Sequence, residues 1–226
     1  MNTQNIDPVW EEKYAAGHAE RYPWDVIVSF IYRNAPRDRP RSQVRVLEVG
    51  CGTGSNLWFA AREGFSVAGI DGAASAIEYA RQRFAAEGLG GDLQVADFTA
   101  LPFDDASFDL VIDRAALTCV GRSVLEASVA EIARVLRPGG KFFFNPYSDR
   151  HSSSAAGTAG ADGTRIDIDG GTLQGVGQIY FCSKRDVEQV LSGTWAIRSL
   201  EHKELIQMVE PGYSVHAEWW VIVEKV

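Results

Sequence analysis

Residues 44 to 71 read V-R-V-L-E-V-G-C-G-T-G-S-N-L-W-F-A-A-R-E-G-F-S-V-A-G-I-D, and this stretch decides the fold. It begins with a short apolar run rich in β-branched residues, which is typical of a strand covered on both faces. Gly50, Gly52 and Gly54 then predict a turn in which bare backbone amides lie open to a ligand. A helix that begins near Gly54 directs its N-terminal amides and positive dipole end at the same place. The stretch therefore predicts a βαβ unit that binds a nucleoside.

Two acids indicate which nucleoside it binds. Asp71 lies 23 residues after Glu48, at the carboxyl end of the second predicted strand, where a carboxylate can accept both hydroxyls of a ribose. The turn departs from the dinucleotide pattern G-x-G-x-x-G, because Ser55 stands where that pattern has its last glycine. Glu48 lies two residues before the first glycine, and a carboxylate there suits a ligand with an ammonium group better than one with two phosphates.

At these residues the sequence resembles the class I S-adenosylmethionine-dependent methyltransferases, whose first motif is commonly written (D/E)-x-G-x-G-x-G. The segment F-D-D-A-S-F-D-L-V-I-D at 103–113 looks like the L-P-F-x-D-x-S-F-D-x-V motif of that family, and R-V-L-R-P-G-G-K follows at 134–141. The resemblance is tight over about residues 44–147 and loose at both ends. It implies S-adenosylmethionine as the cofactor, S-adenosylhomocysteine as the product, and a methyltransferase of the small-molecule type.

The pattern of elements predicts a doubly wound, Rossmann-like α/β/α sandwich. Its seven-stranded sheet is mostly parallel and ends in an antiparallel pair of strands, and ligands are expected at the carboxyl ends of the parallel strands. The predicted strands are 44–49, 65–70, 93–96, 108–112, 141–144, 195–200 and 219–226.

Composition narrows the classes of partner. The 226 residues are 46% apolar and 23% charged, as in an ordinary soluble protein, and the net charge of −8 argues against nucleic acid. Cys51, Cys119 and Cys182 are odd in number and far apart, so no disulfide framework is predicted and a cytoplasmic location is expected. No segment reads as a secretory leader or a membrane span. A small-molecule substrate and no metal site are expected, and the oligomeric state is left open.

We expect a single methyltransferase domain made of four parts. These are an N-terminal helical lid at 1–40, the cofactor-binding core at 44–147, a substrate-capping insertion at 148–178, and a C-terminal helix and strand pair at 179–226. The N-terminal arm carries six aromatic residues, and simple packing of its helices on the sheet is the alternative to a lid. The insertion is rich in Ser, Gly and Ala, and the alternation of Thr164, Ile166 and Ile168 predicts a small hairpin.

The resemblance implies a set of cofactor-binding residues. Trp10 and Tyr14 share a helical face and would attract a sulfonium by about 0.5–2 kcal/mol, while Arg21 either pairs with a carboxylate or is solvated. Asp97 and the backbone amide of Phe98 would contact adenine, although an ordinary turn with Phe98 in the core is the alternative. The predicted cofactor-binding residues are Trp10, Tyr14, Arg21, Glu48, Gly50, Cys51, Gly52, Gly54, Asn56, Asp71, Gly72, Asp97, Phe98 and Asp113.

Tyr147, His151 and Arg114 are the candidate catalytic residues. Methyl transfer is an in-line displacement that needs a base only for an alcohol or a protonated amine. His151 is the best candidate base, because an unperturbed imidazole titrates near about 6.5. Arg114 either holds an anionic substrate or forms a surface pair, and Asp113 either acts as a base or, as we prefer, orients the cofactor. The remaining histidines are expected to be structural or exposed: His18, His202 and His216.

Oxygen is the first choice for the methylated atom, with nitrogen or sulfur behind it. Two other functions stay open at this point. An NAD-dependent oxidoreductase would share the βαβ unit and Asp71, but would leave Glu48 and the 103–113 motif unexplained. A catalytically silent S-adenosylmethionine-binding or regulatory module would keep every cofactor motif without turnover.

Overall fold

A computed structural model of the chain describes residues 7–209 and 212–226. Residues 1–6 of the predicted lid and residues 210–211 of the C-terminal part lie outside the described residues. The helices are α1 (Val9–Ala15), α2 (Asp25–Asn34), α3 (Ser55–Arg62), α4 (Ala74–Ala86), α5 (Arg122–Val135) and α6 (Lys184–Val190). The strands are β1 (Arg45–Val49), β2 (Ser66–Asp71), β3 (Asp92–Val95), β4 (Phe108–Asp113), β5 (Leu136–Phe144), β6 (Thr158–Ala159), β7 (Arg165–Ile166), β8 (Trp195–Ile206) and β9 (Val215–Lys225). No helix within these ranges has the length and apolar character needed to cross a bilayer.

Seven of the described strands form one sheet in the order β3-β2-β1-β4-β5-β9-β8. Strands β1 to β5 are parallel, and β9 runs antiparallel to both β5 and β8, which confirms the predicted fold. Val49 lies in register with Ile70 on one side and with Asp113 on the other. The loops after β1, β2 and β4 therefore leave the sheet at the same edge.

Apolar side chains of the central strands point alternately to the two faces of the sheet. Leu47 and Val49 pack in the core under α5 and α6, whereas Val46 packs under α2, α3 and α4. Burial on both faces explains why β1 reads as a continuous apolar run.

The strand ends differ most from the predictions. Strand β5 begins at Leu136 rather than 141, so its first residues include the Pro-Gly-Gly that we expected to precede it. Strands β8 and β9 pair as far as Ile206 and Val215, well beyond the predicted ends at 200 and 219. The extra residues of β8 are His202, Lys203 and Glu204 among others, and this polar run lacks the apolar alternation on which the prediction depended.

Asp109, inside the 103–113 motif, connects the segment before β1 to the beginning of β5. Its Oδ1 accepts a hydrogen bond from Arg39 Nη2 at 2.6 Å, and its Oδ2 accepts one from Arg137 Nη1 at 2.6 Å. The backbone amide of Arg45 donates to Oδ2 at 2.8 Å. The carboxylate is buried, so these three donors compensate the loss of its hydration.

The 148–178 insertion is ordered as short 3₁₀ turns and the small hairpin β6–β7, in which Thr158 pairs with Ile166. Ile168 packs with Cys119 and Ile179, next to Trp10 of α1. The insertion thus lies against the N-terminal arm at the edge where the parallel strands end.

Candidate cofactor and acceptor site

The glycine turn after β1 is held in a conformation that side chains would oppose. Gly50, Gly52 and Gly54 have φ values of +66°, +51° and +75°. A Cβ on Gly50 would lie 2.1 Å from the Cβ of Ala116, and one on Gly52 would lie 2.7 Å from the hydroxyl of Tyr14. Only glycine allows the loop after β4 and the N-terminal arm to approach this closely.

Asp71 supports the turn from the end of β2. Its Oδ2 accepts a hydrogen bond from the amide of Gly52 and its Oδ1 accepts one from the amide of Ala73, both at 2.8 Å. Burial raises the pKa of Asp71, and these amide hydrogen bonds oppose the rise. Each carboxylate oxygen keeps a further lone pair that can accept from a ligand hydroxyl.

A cavity of about 100 Å³ lies against this turn, and we call it the inner cavity. Six of the predicted cofactor residues belong to its wall: Trp10, Tyr14, Gly50, Asp71, Gly72 and Phe98. The rest of the wall is formed by Asp7, Arg114, Ala115, Ala116, Cys119 and Val120.

The other predicted cofactor residues lie behind or outside this wall. Cys51 and Gly54 are buried in the turn itself. Asp97 is half-buried and accepts hydrogen bonds from the amide and the hydroxyl of Thr99 at 2.8 and 2.7 Å. Arg21 is exposed, and its carbonyl accepts from Arg83 Nη2 at 2.7 Å.

Asp113 is fully buried and lines no described cavity. Its Oδ1 accepts from the amides of Ala116 and Leu117, each at 2.9 Å, and its Oδ2 accepts from the amide of Asn145 at 3.3 Å. Burial raises its pKa to about 6, and these amides oppose the rise. Asp113 therefore holds the loop after β4 in place, and its carboxylate does not face the space where a base would act.

Asn56 connects the N-terminal arm to Glu48. Its Oδ1 accepts from the amide of Trp24 at 3.0 Å, and its Nδ2 donates to Glu48 Oε1 at 2.6 Å. A second link joins the arm to the turn, because the hydroxyl of Thr53 donates to the carbonyl of Glu20 at 3.1 Å. The arm is thus fastened directly to the glycine turn.

Glu48 is buried, and its Oε2 has no hydrogen-bond partner among the described residues. Burial raises its pKa to about 8, the hydrogen bond from Asn56 opposes this, and the charges of Asp113 and Asp71 add to it. An unpaired carboxylate oxygen beneath a glycine turn suits an ammonium group, as the sequence predicts for the amino-acid end of S-adenosylmethionine.

Replacing Glu48 by glutamine is expected to stabilise the empty protein at alkaline pH. The folded-state pKa of about 8 lies above the ordinary value of 4.5, so the stability that the protonated carboxyl contributes is lost as pH rises through that range. At pH 9 the variant should gain about 1–3 kcal/mol in urea denaturation, and near pH 5 it should match the native protein. Glu78→Gln, on the exposed face of α4, is the control and should change neither value. If the variant and the native protein differed in unfolding free energy by the same amount at pH 5 and at pH 9, the raised pKa of Glu48 would be contradicted.

A second and larger cavity, of about 590 Å³, adjoins the inner cavity, and we call it the outer chamber. Five residues belong to both walls: Trp10, Tyr14, Arg114, Ala115 and Cys119. The other residues of the outer chamber are His18, Glu20, Trp24, Asp25, Val26, Tyr147, Val176, Lys203, Leu205, His216, Glu218 and Trp220.

Arg114 and Glu218 form a largely buried ion pair in the wall of the outer chamber. Arg114 Nη1 lies 3.6 Å from Glu218 Oε2, and the guanidinium carbon lies 4.0 Å from the centre of the Trp24 ring. Burial opposes ionisation of Glu218, but hydrogen bonding to His216, the charge of Arg114 and the donors Trp220 and Asn145 together lower its pKa to about 2. We expected Arg114 either to hold an anionic substrate or to form a surface ion pair. It does form an ion pair, but inside the site rather than on the surface.

His151 lies behind the chamber wall, contrary to the placement that we expected for a base. It is 1% exposed, and its Nδ1 accepts from the amide of Ser153 at 3.0 Å. Burial lowers its pKa to about 4, the charge of His216 adds to this, and Glu218 opposes it. His151 reaches the chamber only through His216, whose Nδ1 lies 3.2 Å from His151 Nε2.

His216 was missed in the sequence because it belongs to no motif and was expected to be structural or exposed. Strand β9 brings it next to Tyr147, since Tyr147 pairs with Glu218 across the end of β5. The alternation of His216, Glu218 and Trp220 was the available signal, because alternate residues of a strand share one face. Tyr147 lines the outer chamber as predicted, and burial raises its pKa to about 12 with Arg114 opposing.

A doubly wound sheet with a glycine turn, a strand-terminal acid and cavities at the carboxyl edge defines a protein of the Rossmann-like class, in which ligands bind at that edge. Residues 46–140 match the family described as the methyltransferase domain. The chain is 36% identical over 115 residues to malonyl-[acyl-carrier protein] O-methyltransferase of Erwinia pyrifoliae, covering 49% of this chain and 40% of that protein. It is 38% identical over 107 residues to phthiotriol/phenolphthiotriol dimycocerosates methyltransferase of Mycobacterium tuberculosis, covering 46% and 37%. The chain thus spans about two fifths of the length of the curated relatives that it matches.

Solved structures show the same fold over nearly the whole chain. A SAM-dependent methyltransferase from Methanosarcina mazei superposes with a TM-score of 0.70 at 20% identity, over 91% of this chain and 99% of that one. A protein studied in the conversion of a disulfide bond into a thioacetal group during echinomycin biosynthesis gives a TM-score of 0.68 at 24% identity, over 96% and 92%. The matched segment is thus similar to the methyltransferase domain family, and the predicted resemblance to the class I S-adenosylmethionine-dependent methyltransferases is confirmed.

Proposed function

We propose that this protein transfers a methyl group from S-adenosylmethionine to a small-molecule acceptor, with oxygen as the receiving atom. The observation that carries the proposal is the common wall of the two cavities, formed around Tyr14, Trp10 and Arg114. Methyl transfer requires the nucleophile to lie within about 3–3.5 Å of the methyl carbon. Two adjoining cavities, one beside the nucleoside motifs and one lined by aromatic and polar groups, meet this requirement at their junction.

The residues of the inner cavity fit the cofactor. When bound, S-adenosylmethionine supplies a methyl group activated by a sulfonium. Asp71 would hold the ribose and Phe98 would lie beside the adenine. Glu48 lies behind this wall, beneath the glycine turn, and its free oxygen would attract the ammonium. Trp10 and Tyr14 would offer aromatic faces to the positive charge.

His216 is the candidate base, and we assign its free nitrogen from the contact with Thr172. Because the amide of Ser153 donates to His151 Nδ1, the neutral His151 ring carries its proton on Nε2. Thr172 Oγ1 lies 3.0 Å from both His151 Nε2 and His216 Nδ1, so its two lone pairs can accept both N–H groups. In this assignment the neutral His216 keeps its Nε2 lone pair in the chamber, 3.8 Å from Glu218 Oε2. Glu218 would accept a hydrogen bond from His216 only after His216 takes a proton, and its charge would stabilise the imidazolium.

Oxygen is favoured by this base, since an alcohol must lose a proton on methylation. The Erwinia pyrifoliae relative, named as an O-methyltransferase, gives independent support. We place the reaction in the cytosol, because Cys51, Cys119 and Cys182 are all free thiols. In this proposal His151 is a positioning residue that acts through His216.

Thr172→Val is expected to lower kcat for an alcohol acceptor by about 10- to 100-fold, because His216 Nδ1 must then accept from His151 and Nε2 keeps its proton. The affinity for S-adenosylhomocysteine, measured by calorimetry, should not change, since Thr172 lies outside the inner cavity. Thr172→Ser retains the oxygen and should restore most of the activity. A native kcat in Thr172→Val would contradict the proposal that Thr172 keeps Nε2 of His216 unprotonated.

Calorimetry and a turnover assay test the function itself. We expect S-adenosylmethionine and S-adenosylhomocysteine to bind and NADH not to bind. Incubation with a panel of small alcohols, phenols and carboxylic acids should then release S-adenosylhomocysteine with at least one of them. Binding of NADH alone would favour the oxidoreductase. Tight binding of the sulfonium compound without turnover on any acceptor would favour the silent module.

A further inference from the structure

A groove of about 280 Å³ leads away from the outer chamber between α2 and the sheet, and we call it the middle groove. Four residues of its wall also belong to the chamber: Asp25, Val26, Lys203 and Trp220. At its other end the middle groove shares Arg33 and Asn34 with a further cavity of about 450 Å³, which we call the basic groove. The three cavities therefore adjoin one another in series.

Helix α2 gives the order of the three cavities. Asp25, its first residue, lines the chamber, Ser29 lines the middle groove, and Arg33 lies where the middle groove meets the basic groove. A helix rises about 1.5 Å per residue, so Asp25 and Arg33 are about 12 Å apart. Arg37, which lies beyond the end of α2, also lines the basic groove.

Strand β9 gives the same order independently. Its alternate residues share one face of the sheet, on which Glu218 lines the chamber and Trp220 and Ile222 line the middle groove. Glu224 follows on the same face and pairs in register with Lys141, which lines the basic groove. A strand advances about 3.3 Å per residue, so the six residues from Glu218 to Glu224 span about 20 Å.

The basic groove concentrates positive charge on a chain whose net charge is −8. Five cationic side chains and one acid belong to its wall, which gives the wall a formal charge of +4: Arg33, Arg37, Arg39, Arg137, Lys141 and Asp109. Asp38, at 4.0 Å from Arg39 Nε, and Glu224, at 3.9 Å from Lys141 Nζ, lower this charge to +2. A cleft lined by one sign of charge attracts a compact ligand of the opposite sign.

Asp109 holds two of these cations side by side. Arg39 and Arg137 each donate one hydrogen bond, at 2.6 Å, to a different oxygen of its carboxylate. Neither guanidinium donates to any other residue that the structure describes, and both side chains are about one-third exposed. A guanidinium has five N–H donors in a plane that matches the oxygens of a phosphate. The donors that remain can therefore bind a phosphate group.

The middle groove suits an uncharged arm. The charges of Glu201 and Lys203 in its wall compensate each other, since the two side chains pair at 2.5 Å. Trp220 and Ile222 are half-buried and offer apolar surface, while Ser29 adds a hydroxyl. A ligand that fits all three cavities is elongated, with a phosphorylated end in the basic groove.

We propose that the acceptor is an elongated phosphate ester. Its methylated end lies in the outer chamber, an uncharged arm of about 20 Å follows the middle groove, and a group with two or more phosphates binds in the basic groove. A nucleic acid would instead place many further phosphates over the acidic remainder of the chain. The inference rests on the proposed function and names the substrate class of the same site.

Calorimetry with inorganic pyrophosphate tests the basic groove, with S-adenosylhomocysteine saturating the protein. The native protein should bind pyrophosphate. The double variant Arg33→Ala, Arg37→Ala should raise the Kd at least about tenfold, because it removes two exposed cations from the groove wall. The double variant Lys184→Ala, Arg185→Ala loses the same charge from exposed positions on α6 and is the matched control, with a Kd within about twofold of native.

A series of ω-hydroxyalkyl diphosphates, with extended lengths from about 10 to about 25 Å, tests the path to the chamber. Affinity should rise about twofold for each methylene added along the middle groove. Ser29→Trp fills this groove, so pyrophosphate should still bind as in the native protein while the rise with length disappears. Ser192→Trp, at an exposed position outside the groove, is the matched control and should keep the rise. In a crystal of the complex, the hydroxyl of the compound that spans about 20 Å should lie in the outer chamber.

Three results would overturn the inference. The first is no binding of pyrophosphate, or the same Kd in the two double variants. The second is an affinity that does not depend on arm length, or that depends on it equally in Ser29→Trp, which would make the basic groove a separate anion site. The third is binding of an oligo-aspartate peptide in place of pyrophosphate, which would assign the basic groove to an acidic protein segment. Loss of S-adenosylhomocysteine binding in the native protein would instead count against the proposed function, so the two failures are distinguishable.

Discussion

Replacing Asp71 by alanine is expected to raise the Kd for S-adenosylhomocysteine by at least about 100-fold. The change removes a carboxylate that would accept the ribose hydroxyls, and hydrogen bonds to a charged group contribute about 1.5–3 kcal/mol each. It also leaves the amides of Gly52 and Ala73 without their acceptor, which loosens the turn on which the ligand would lie. Calorimetry at fixed pH and salt measures the effect.

Asp92→Ala is the matched control for this prediction. Asp92 is an exposed acid at the start of β3, the opposite end of the neighbouring strand, and its Oδ1 accepts only from Gln94 Nε2 at 2.9 Å in the described structure. Its loss should leave the Kd within about twofold. Native affinity in Asp71→Ala, with the fold intact by circular dichroism, would mean that the nucleoside is held elsewhere.

The largest effect on stability is expected from Asp109→Ala. Removal of this carboxylate leaves Arg39 and Arg137 without their common partner and the amide of Arg45 without its acceptor. Breaking a buried ion pair from one side costs about 3–5 kcal/mol, and the partial exposure of both arginines reduces the expected loss to about 3 kcal/mol. Urea denaturation measures this loss.

A second aspartate of the same motif provides the comparison for Asp109. Asp105 pairs with Arg134 at 2.8 Å, but its side chain is 79% exposed, so Asp105→Ala should cost less than about 1 kcal/mol. Because Asp109 lies at the amino-terminal end of β4, far from the carboxyl edge, the folded Asp109→Ala protein should keep its affinity for S-adenosylhomocysteine. Equal losses in the two variants would contradict the structural role given to Asp109.

The cofactor side of the site could be predicted from the sequence because it is built from local signals. A glycine turn follows β1, an acid ends β2 and Phe98 follows β3, and parallel strands bring their carboxyl ends to one edge whatever the rest of the chain does. Gly50, Asp71 and Phe98 accordingly meet in the inner cavity. Asp113 shows the limit of this reasoning, since position at the right edge does not decide whether a side chain faces the ligand or the backbone.

The acceptor side could not be predicted in the same way, because long-range strand pairing creates it. His216 and Glu218 enter the site only through the register of β9 with β8 and with Tyr147. That register depends on a hairpin whose polar residues carry no clear apolar alternation. His151 follows the fifth strand as expected, yet the insertion covers it and His216 takes the position in the chamber wall.

The origin of the outer chamber's walls has a consequence for how specificity can change. Most of its wall comes from the N-terminal arm, the insertion and the β8–β9 hairpin, whereas residues 46–140 contribute Arg114, Ala115 and Cys119. Substitutions in those three segments can alter the shape and charge of one compartment while leaving the nucleoside compartment intact. Mutagenesis libraries confined to these three segments should yield variants that accept new molecules and keep their affinity for the methyl donor.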